Sequence, residues 1–223
     1  MKRYQVGLIR VVTMDDADMV NLHGQILEEN YPQLLVESRC LQDQPEGVHD
    51  EKTEALAIPK VVEMGLQMQA EGKQAVIISC AGDPGLEELR QQLSIPVIGA
   101  GESVALFASK YAKVGILGIT ENAPGAYLRI LADKIVDNGL PEGITNTLDL
   151  LTESGHASVA ACARKQKNSG AEAIALSCTG MSTIGVAAEL EKELGIPVLD
   201  PVLCEGAVAV FELNQAARLN QMQ

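Results

Sequence analysis

The chain is 223 residues long, 47% of it is apolar, and 17 Lys and Arg stand against 30 Asp and Glu for a net charge of −13. That length allows one large globular domain or two small ones. The acidity argues against nucleic-acid partners and anionic membrane surfaces, which need a basic face, and no apolar run approaches the ~20 residues of a bilayer span. Residues Met1 to Gln5 lead straight into a strand-like run without the apolar stretch of a signal peptide, so a cytoplasmic address is expected. The five cysteines, Cys40, Cys80, Cys162, Cys178 and Cys204, are odd in number and widely spaced, with no CxxC and no zinc-ligand spacing. Neither a disulfide framework nor a metal is expected. With no Trp and two Phe, the chain has no aromatic platform for stacking bases.

In chain order, Val6-Gly7-Leu8-Ile9 reads as a strand, and Asp15 to Asn30 as a helix with Met19, Leu22 and Ile26 on one stripe. Leu34-Leu35-Val36 is a second strand, followed by a loop through Gln44-Pro45-Glu46-Gly47 and a long helix from about Thr53 to Gly72. Val76-Ile77-Ile78 is an unbroken apolar strand ending at Ser79-Cys80, as suits a parallel sheet covered on both faces. The second half repeats this order. Val114-Gly115-Ile116-Leu117 echoes the first strand, and Ala173 to Cys178 echoes Ala75 to Cys80. Ile196-Pro197-Val198 echoes Ile95-Pro96-Val97, and each half then reaches a Glu, Glu102 or Glu205, where a further helix is expected to open. A period near 100 residues is too long for a solenoid and suits a duplicated unit. The expected fold is α/β: two pseudo-symmetric Rossmann-like (doubly wound) parallel-sheet domains facing each other across a cleft. The last helix, from about Glu205 to Leu219, can pack on either half.

Ligands of open parallel sheets bind beyond the carboxyl ends of the strands, where Cys80 and Cys178 both fall. Across a pseudo-dyad these thiols face one cleft. A thiolate on one side of a carbon removes a proton while a thiol on the other returns one, which inverts the stereocentre. Two close thiolates repel, so the pair should share a single proton. A helix N-terminus lowers a thiol pKa. Gly82 and Gly180 allow close backbone approach, and their N–H groups can hold a developing enolate oxygen. A lone Cys ending a strand is more often core packing, but core packing does not require Cys at matched positions of both halves. Cys162, near Val159 on a helix, reads as core, and Cys204 as structural. Asp83 reads as a helix cap or a substrate contact. Glu102 and Glu205 are accounted for by a helix dipole. Thr13 and Thr120 end strands on the cleft rim, and Arg39 can anchor a carboxylate or lie solvated on the surface. His23 and His156 fall in helices and His49 in a loop, and none is assigned catalysis.

The segments Cys80-Ala81-Gly82-Asp83-Pro84-Gly85-Leu86, Pro96-Val97-Ile98-Gly99-Ala100-Gly101-Glu102 and Cys178-Thr179-Gly180-Met181 resemble the aspartate/glutamate/hydantoin racemase superfamily, nearest its hydantoin and allantoin racemase branch. Arg10-Val11-Val12-Thr13 stands where many hydantoin racemases carry Asn-Pro-Asn, and Thr179 looks like the amino-acid racemase branch. The resemblance implies two-thiol proton transfer by Cys80 and Cys178 without a cofactor. It also implies a last helix returning to the first half, giving domains 1–100 plus 205–223 and 101–204. The expected function is a cofactor-independent racemase or epimerase acting on a hydantoin-like or amino-acid-derived small molecule. The expected substrate contacts are Ala81, Gly82, Asp83, Thr179, Gly180, Thr13, Thr120 and Arg39. Without an obvious second cationic anchor beside Arg39, a neutral ring is favoured over a dicarboxylate. The alternatives are a two-cysteine cis-trans isomerase and a non-catalytic two-lobed binding protein. A homo-oligomer is expected.

Overall fold

The apolar run Tyr4–Arg10 forms strand β1, in which only Gln5 is exposed. In the computed structural model, which describes residues 3–221, the first half continues through α1 (Ala17–Asn30), β2 (Leu34–Cys40), α2 (Glu51–Ala70), β3 (Ala75–Ser79), α3 (Leu86–Gln92), β4 (Val97–Gly99) and α4 (Ala100–Ala108). The second half runs through β5 (Val114–Leu117), α5 (Gly125–Leu131), β6 (Ile135–Gly139), α6 (Glu153–Asn168), β7 (Ala173–Leu176), α7 (Gly180–Thr183), α8 (Val186–Leu194), β8 (Val198–Leu199) and α9 (Pro201–Asn220). The outermost residues of the expected first domain, 1–2 and 222–223, and with them the start of the run read for a signal peptide, lie outside the described residues. Among the described residues no helix is long and apolar enough to cross a membrane.

Two four-stranded, all-parallel sheets result, ordered β2-β1-β3-β4 and β6-β5-β7-β8, so the internal repeat in the sequence is a repeat of topology. Each sheet is covered on both faces. Helices α1 and α9 bring Leu27, Val202, Ala209 and Leu213 onto one face of the first sheet, against Leu8, Ile77 and Ile98. Ala57, Val61 and Met68 of α2, with Leu86 and Leu89 of α3, cover Ile9, Val76 and Ile78 on the other. Ile77 and Ile78 thus point into opposite cores, each fully buried and each contributing roughly 1.5–3 kcal/mol. In the second half, α4 and α5 cover one face and α6 and α8 the other.

Two helices begin elsewhere than the residues at which the sequence reading started them. Asp16, rather than lying inside α1, caps it, accepting from the Asp18 and Met19 N–H groups. Helix α9 starts at Pro201, four residues before Glu205, because Asp200 caps it and Pro201 suits the first helical position. Glu205 is therefore a fully buried residue of the second turn, not a dipole partner at the start.

Asp83 caps a helix, but not the one it precedes. Helix α4 has Gly99 at its N-cap with no side chain to offer. The carboxylate of Asp83, held at φ 54°, accepts instead from the Gly101 N–H (2.8 Å) and the Glu102 N–H (2.6 Å). This accounts for two glycines: a Cβ at Gly99 would lie 2.5 Å from Asp83 Oδ1, and one at Gly101 only 2.1 Å from the Ala81 carbonyl oxygen. Burial pushes the Asp83 carboxyl up to about 7, against the pull of the two N–H groups. A carboxyl whose folded pKa is raised keeps its proton longer in the folded state, so its contribution to stability is largest below pH ~4 and falls as pH rises toward 7. Asp83→Ala should lower unfolding free energy by ~1–2 kcal/mol. The stability advantage of the native chain over Asp83→Asn should shrink between pH 5 and pH 8, both measured by urea denaturation.

Candidate active site

Strand β3 delivers Cys80 immediately past its last residue, and β7 delivers Cys178 after Ser177. Both line one cleft of about 580 Å³ at the carboxyl ends of the two sheets. Their surroundings differ. Cys80 is pushed up to about 12 by burial, with Cys178, Asp83 and Glu54 adding to the effect and only the Gly82 N–H opposing it by donating to the sulfur. Cys178 is also raised by burial, but the Gly180 and Met181 N–H groups and the Thr147 hydroxyl donate to its sulfur, and the Arg10 charge acts the same way. The glycine amides that sequence reasoning offered to an enolate oxygen are thus turned toward the thiols. At Gly180 the approach leaves no room for a side chain, since a Cβ would sit 2.7 Å from Thr147 Cγ2 and 3.3 Å from Cys178 Sγ.

Ala81, Gly82, Thr120, Thr179 and Gly180 line the same cleft. Thr120 donates to the Asn122 carbonyl (2.7 Å), and Thr179 donates to the Ser79 carbonyl (3.1 Å), joining the strand end before Cys80 to the residue after Cys178. Three further residues singled out from sequence stand elsewhere. Thr13 braces a loop, donating to the Leu41 carbonyl and accepting from the Gln44 N–H. Asp83 is used by α4. Arg39 lies on edge strand β2, where Glu37 and Glu71 occupy its guanidinium, so it has no free fork for a substrate carboxylate.

The cation that does line the cleft is Arg10. It is 3% exposed, and its Nη1 donates to the Met19 carbonyl at 2.6 Å. The register puts it opposite Cys40 on one side and Ser79 on the other, in line across the carboxyl edge of the first sheet. Its signal in the sequence was its place: an Arg ending a buried parallel strand points at the ligand edge. Thr147, from a short 3-10 turn (Thr147–Leu151), had no such signal.

Behind the cleft lies a buried polar row. The His23 ring meets Ser79 Oγ through Nδ1 and Thr183 Oγ1 through Nε2, each at 2.9 Å, and Ser79 Oγ donates to Glu205 Oε1 at 2.8 Å. Burial drives His23 well below its ordinary value, which keeps the ring uncharged at neutral pH, and it pushes the Glu205 carboxyl upward against the pull of Ser79 and Arg10. Sequence reasoning left His23 as a helix residue. Its position one turn beyond Met19 on α1 sets it between the end of β3 and helix α7, which follows Cys178.

Residues 18–207 match the family described as Asp/Glu/Hydantoin racemase. Over 196 residues the chain is 30% identical to a hydantoin racemase from Paenarthrobacter aurescens, covering 80% of this chain and 78% of that one. A hydantoin racemase from Pseudomonas sp. (strain NS671) is 29% identical over 71% of this chain, and the match spans 66% of its own length, just under two thirds. In fold, the chain is similar to an allantoin racemase from Klebsiella pneumoniae, with a TM-score of 0.80 at 24% identity over 97% of this chain and 89% of that one. With the family matched over most of the chain and through both cysteine-bearing strand ends, the chain belongs to the Asp/Glu/hydantoin racemase family.

Proposed function

We propose that the protein is a cofactor-independent racemase or epimerase that inverts a carbon-acid stereocentre of a hydantoin-like or amino-acid-derived substrate, with Cys178 and Cys80 as the two proton-transfer groups. The observation that carries this reading is the pairing of the thiols at repeat-equivalent strand ends on one cleft, in unequal surroundings. Cys178, with three hydrogen-bond donors at its sulfur, is the more easily ionised of the two and serves as base. Cys80, with one donor and a pKa of about 12, serves as acid. The Cys178 sulfur lone pair takes the proton, and the C–H electron pair moves into an enolate. Cys80 then delivers its S–H proton to the opposite face and is left as the thiolate. For the other enantiomer the roles reverse. The proton balance closes within the chain's own residues.

Both thiols are raised, so the active form with one ionised thiol grows with pH through the neutral range. It is lost only where Cys80 also ionises, near about 12. The value of kcat/KM should therefore climb from pH 7 to pH 9, followed by polarimetry. A maximum below pH 7 would contradict the assignment.

Serine at either position should cut racemisation by ~100-fold or more, about 2.7 kcal/mol of transition-state stabilisation. Proton exchange separates the two thiols. In D₂O, Cys80→Ser should exchange one enantiomer through the surviving Cys178 without inverting it. Cys178→Ser should exchange the opposite enantiomer, and more slowly at pH 8, because Cys80 ionises less readily. Deuterium uptake read by mass spectrometry tests this. Both variants exchanging the same enantiomer would refute two-sided transfer, and a native chain that takes up no deuterium from any hydantoin or amino acid would be a binding protein.

A further inference from the structure

Arg10 is a buried cation with no carboxylate partner. Among the described residues the ion pairs formed by arginine involve Arg39, Arg90, Arg129 and Arg164. Arg10 donates to one backbone carbonyl, that of Met19, and its charge reaches Cys40, Glu205 and Cys178, the last of which shares the cleft wall with it. The titratable groups around it are His23 from α1, Cys40 from β2, Glu205 from α9, and Cys178. Burial disfavours the charged forms of His23 and Glu205, and Cys40 lies outside the cleft, where burial favours its thiol form. Cys178 alone in this set both lines the cleft and gathers three other donors on its sulfur.

Carboxylates outnumber it on the same wall. Among the described residues Arg10 is the single Arg or Lys lining the cleft, against Asp50, Glu51, Glu54 and Glu121. Glu54 has no hydrogen-bonding or ion-pair partner for its side chain among the described residues, and it lies close enough to Cys80 to disfavour that thiol's ionisation.

We propose that Arg10 is the fixed counter-charge for the one negative charge that moves from the Cys178 thiolate to the substrate's enolate oxygen and on to Cys80, and that the cleft therefore takes a substrate that is uncharged around the reacting carbon. The proposal rests on the two-thiol reading above. Throughout the transfer the reacting atoms carry one negative charge: as one sulfur gains a proton, the enolate forms, and as the enolate is protonated the other sulfur loses one. One buried guanidinium balances that charge at every stage. A substrate carboxylate would add a second negative charge, with no second cation to meet it and four carboxylates on the wall.

Two measurements test this, and one of them does not depend on turnover. Iodoacetamide labelling of Cys178 across pH, read on its peptide by mass spectrometry, reports the thiolate directly, with folding checked by circular dichroism. In Arg10→Gln and Arg10→Met the labelling midpoint should rise by at least ~1 pH unit, and Arg10→Lys should restore most of it. The second measurement compares 5-(carbamoylmethyl)hydantoin with 5-(carboxymethyl)hydantoin, which share a reacting ring and differ by one charge. Deuterium exchange into the uncharged compound should be faster by ~30-fold or more in kcat/KM. An unmoved midpoint in either folded, charge-deleted variant, or preference for the carboxymethyl compound, overturns the proposal. If the midpoint moves but the native chain exchanges neither compound, the racemase reading falls while Arg10 stands as the thiolate's counter-charge.

Discussion

Everything around the cleft depends on a row of buried and half-buried hydrogen bonds that ties one half to the other. The His23 ring spans from Ser79, the residue before Cys80, to Thr183 on the short helix that follows Cys178, and the Thr179 hydroxyl reaches back to the Ser79 carbonyl. Each such bond adds only ~0.5–1.5 kcal/mol net, but a partner left unsatisfied at this depth costs ~1–3 kcal/mol. The row therefore resists sliding of one half past the other more strongly than its net contribution to folding suggests. Proton transfer between two sulfurs through one carbon tolerates little change in their separation, so a stiff joint behind the cleft is what the proposed chemistry needs.

The same depth sets the electrostatics. Burial moves both thiols away from ionisation, and the difference between them comes from the donors each sulfur meets and from the charges nearby, acidic for Cys80 and the Arg10 cation for Cys178. His23 and Glu205, whose charged forms burial disfavours, lie near the buried guanidinium of Arg10, which forms no ion pair among the described residues and is not screened as an exposed charge would be. The acidic residues stand farther out along the cleft wall, where Glu51 is exposed and Glu54 half-buried. Charge is graded from an acidic mouth to a cationic floor.

Much of this was legible in the sequence, and the parts that were not share a cause. The parallel type of the strands followed from runs such as Val76-Ile77-Ile78 and their echo near Ile174, because burial on both faces of a parallel sheet demands unbroken apolar residues. The position of both cysteines followed from the rule that ligands sit at strand carboxyl ends. What a side chain does once placed was harder to read. Asp83 looked like a cap for the helix it precedes, yet it serves one that begins 17 residues later, which only the close approach at Gly99 and Gly101 reveals. Arg39 and Arg10 both end strands. The edge strand sends Arg39 to two surface glutamates, whereas the central strand sends Arg10 into the cleft, and strand order is a property of tertiary structure. Glu205 was misplaced by four residues because Pro201 and Asp200 set the start of the helix more firmly than a carboxylate does.

Helix α9 is made last among the elements of the fold, and it covers a face of the first sheet. Tyr4 on β1 donates to Asn214 on this helix, Tyr31 donates to the Leu203 carbonyl, and Gly206 lets the helix settle against Tyr31 and Leu27. During synthesis the strands that carry Leu8, Ile77 and Ile98 leave the ribosome well before their cover exists. The β5–β8 sheet, by contrast, draws the helices on both of its faces almost wholly from residues 100–194, with Cys204 the one residue of α9 in its buried core clusters, so its layers are nearly complete before α9 is made. The order of assembly on the ribosome thus reverses the order of the halves in the chain: the later sheet can close first, and the earlier one waits with an apolar face open for the arrival of Pro201–Asn220.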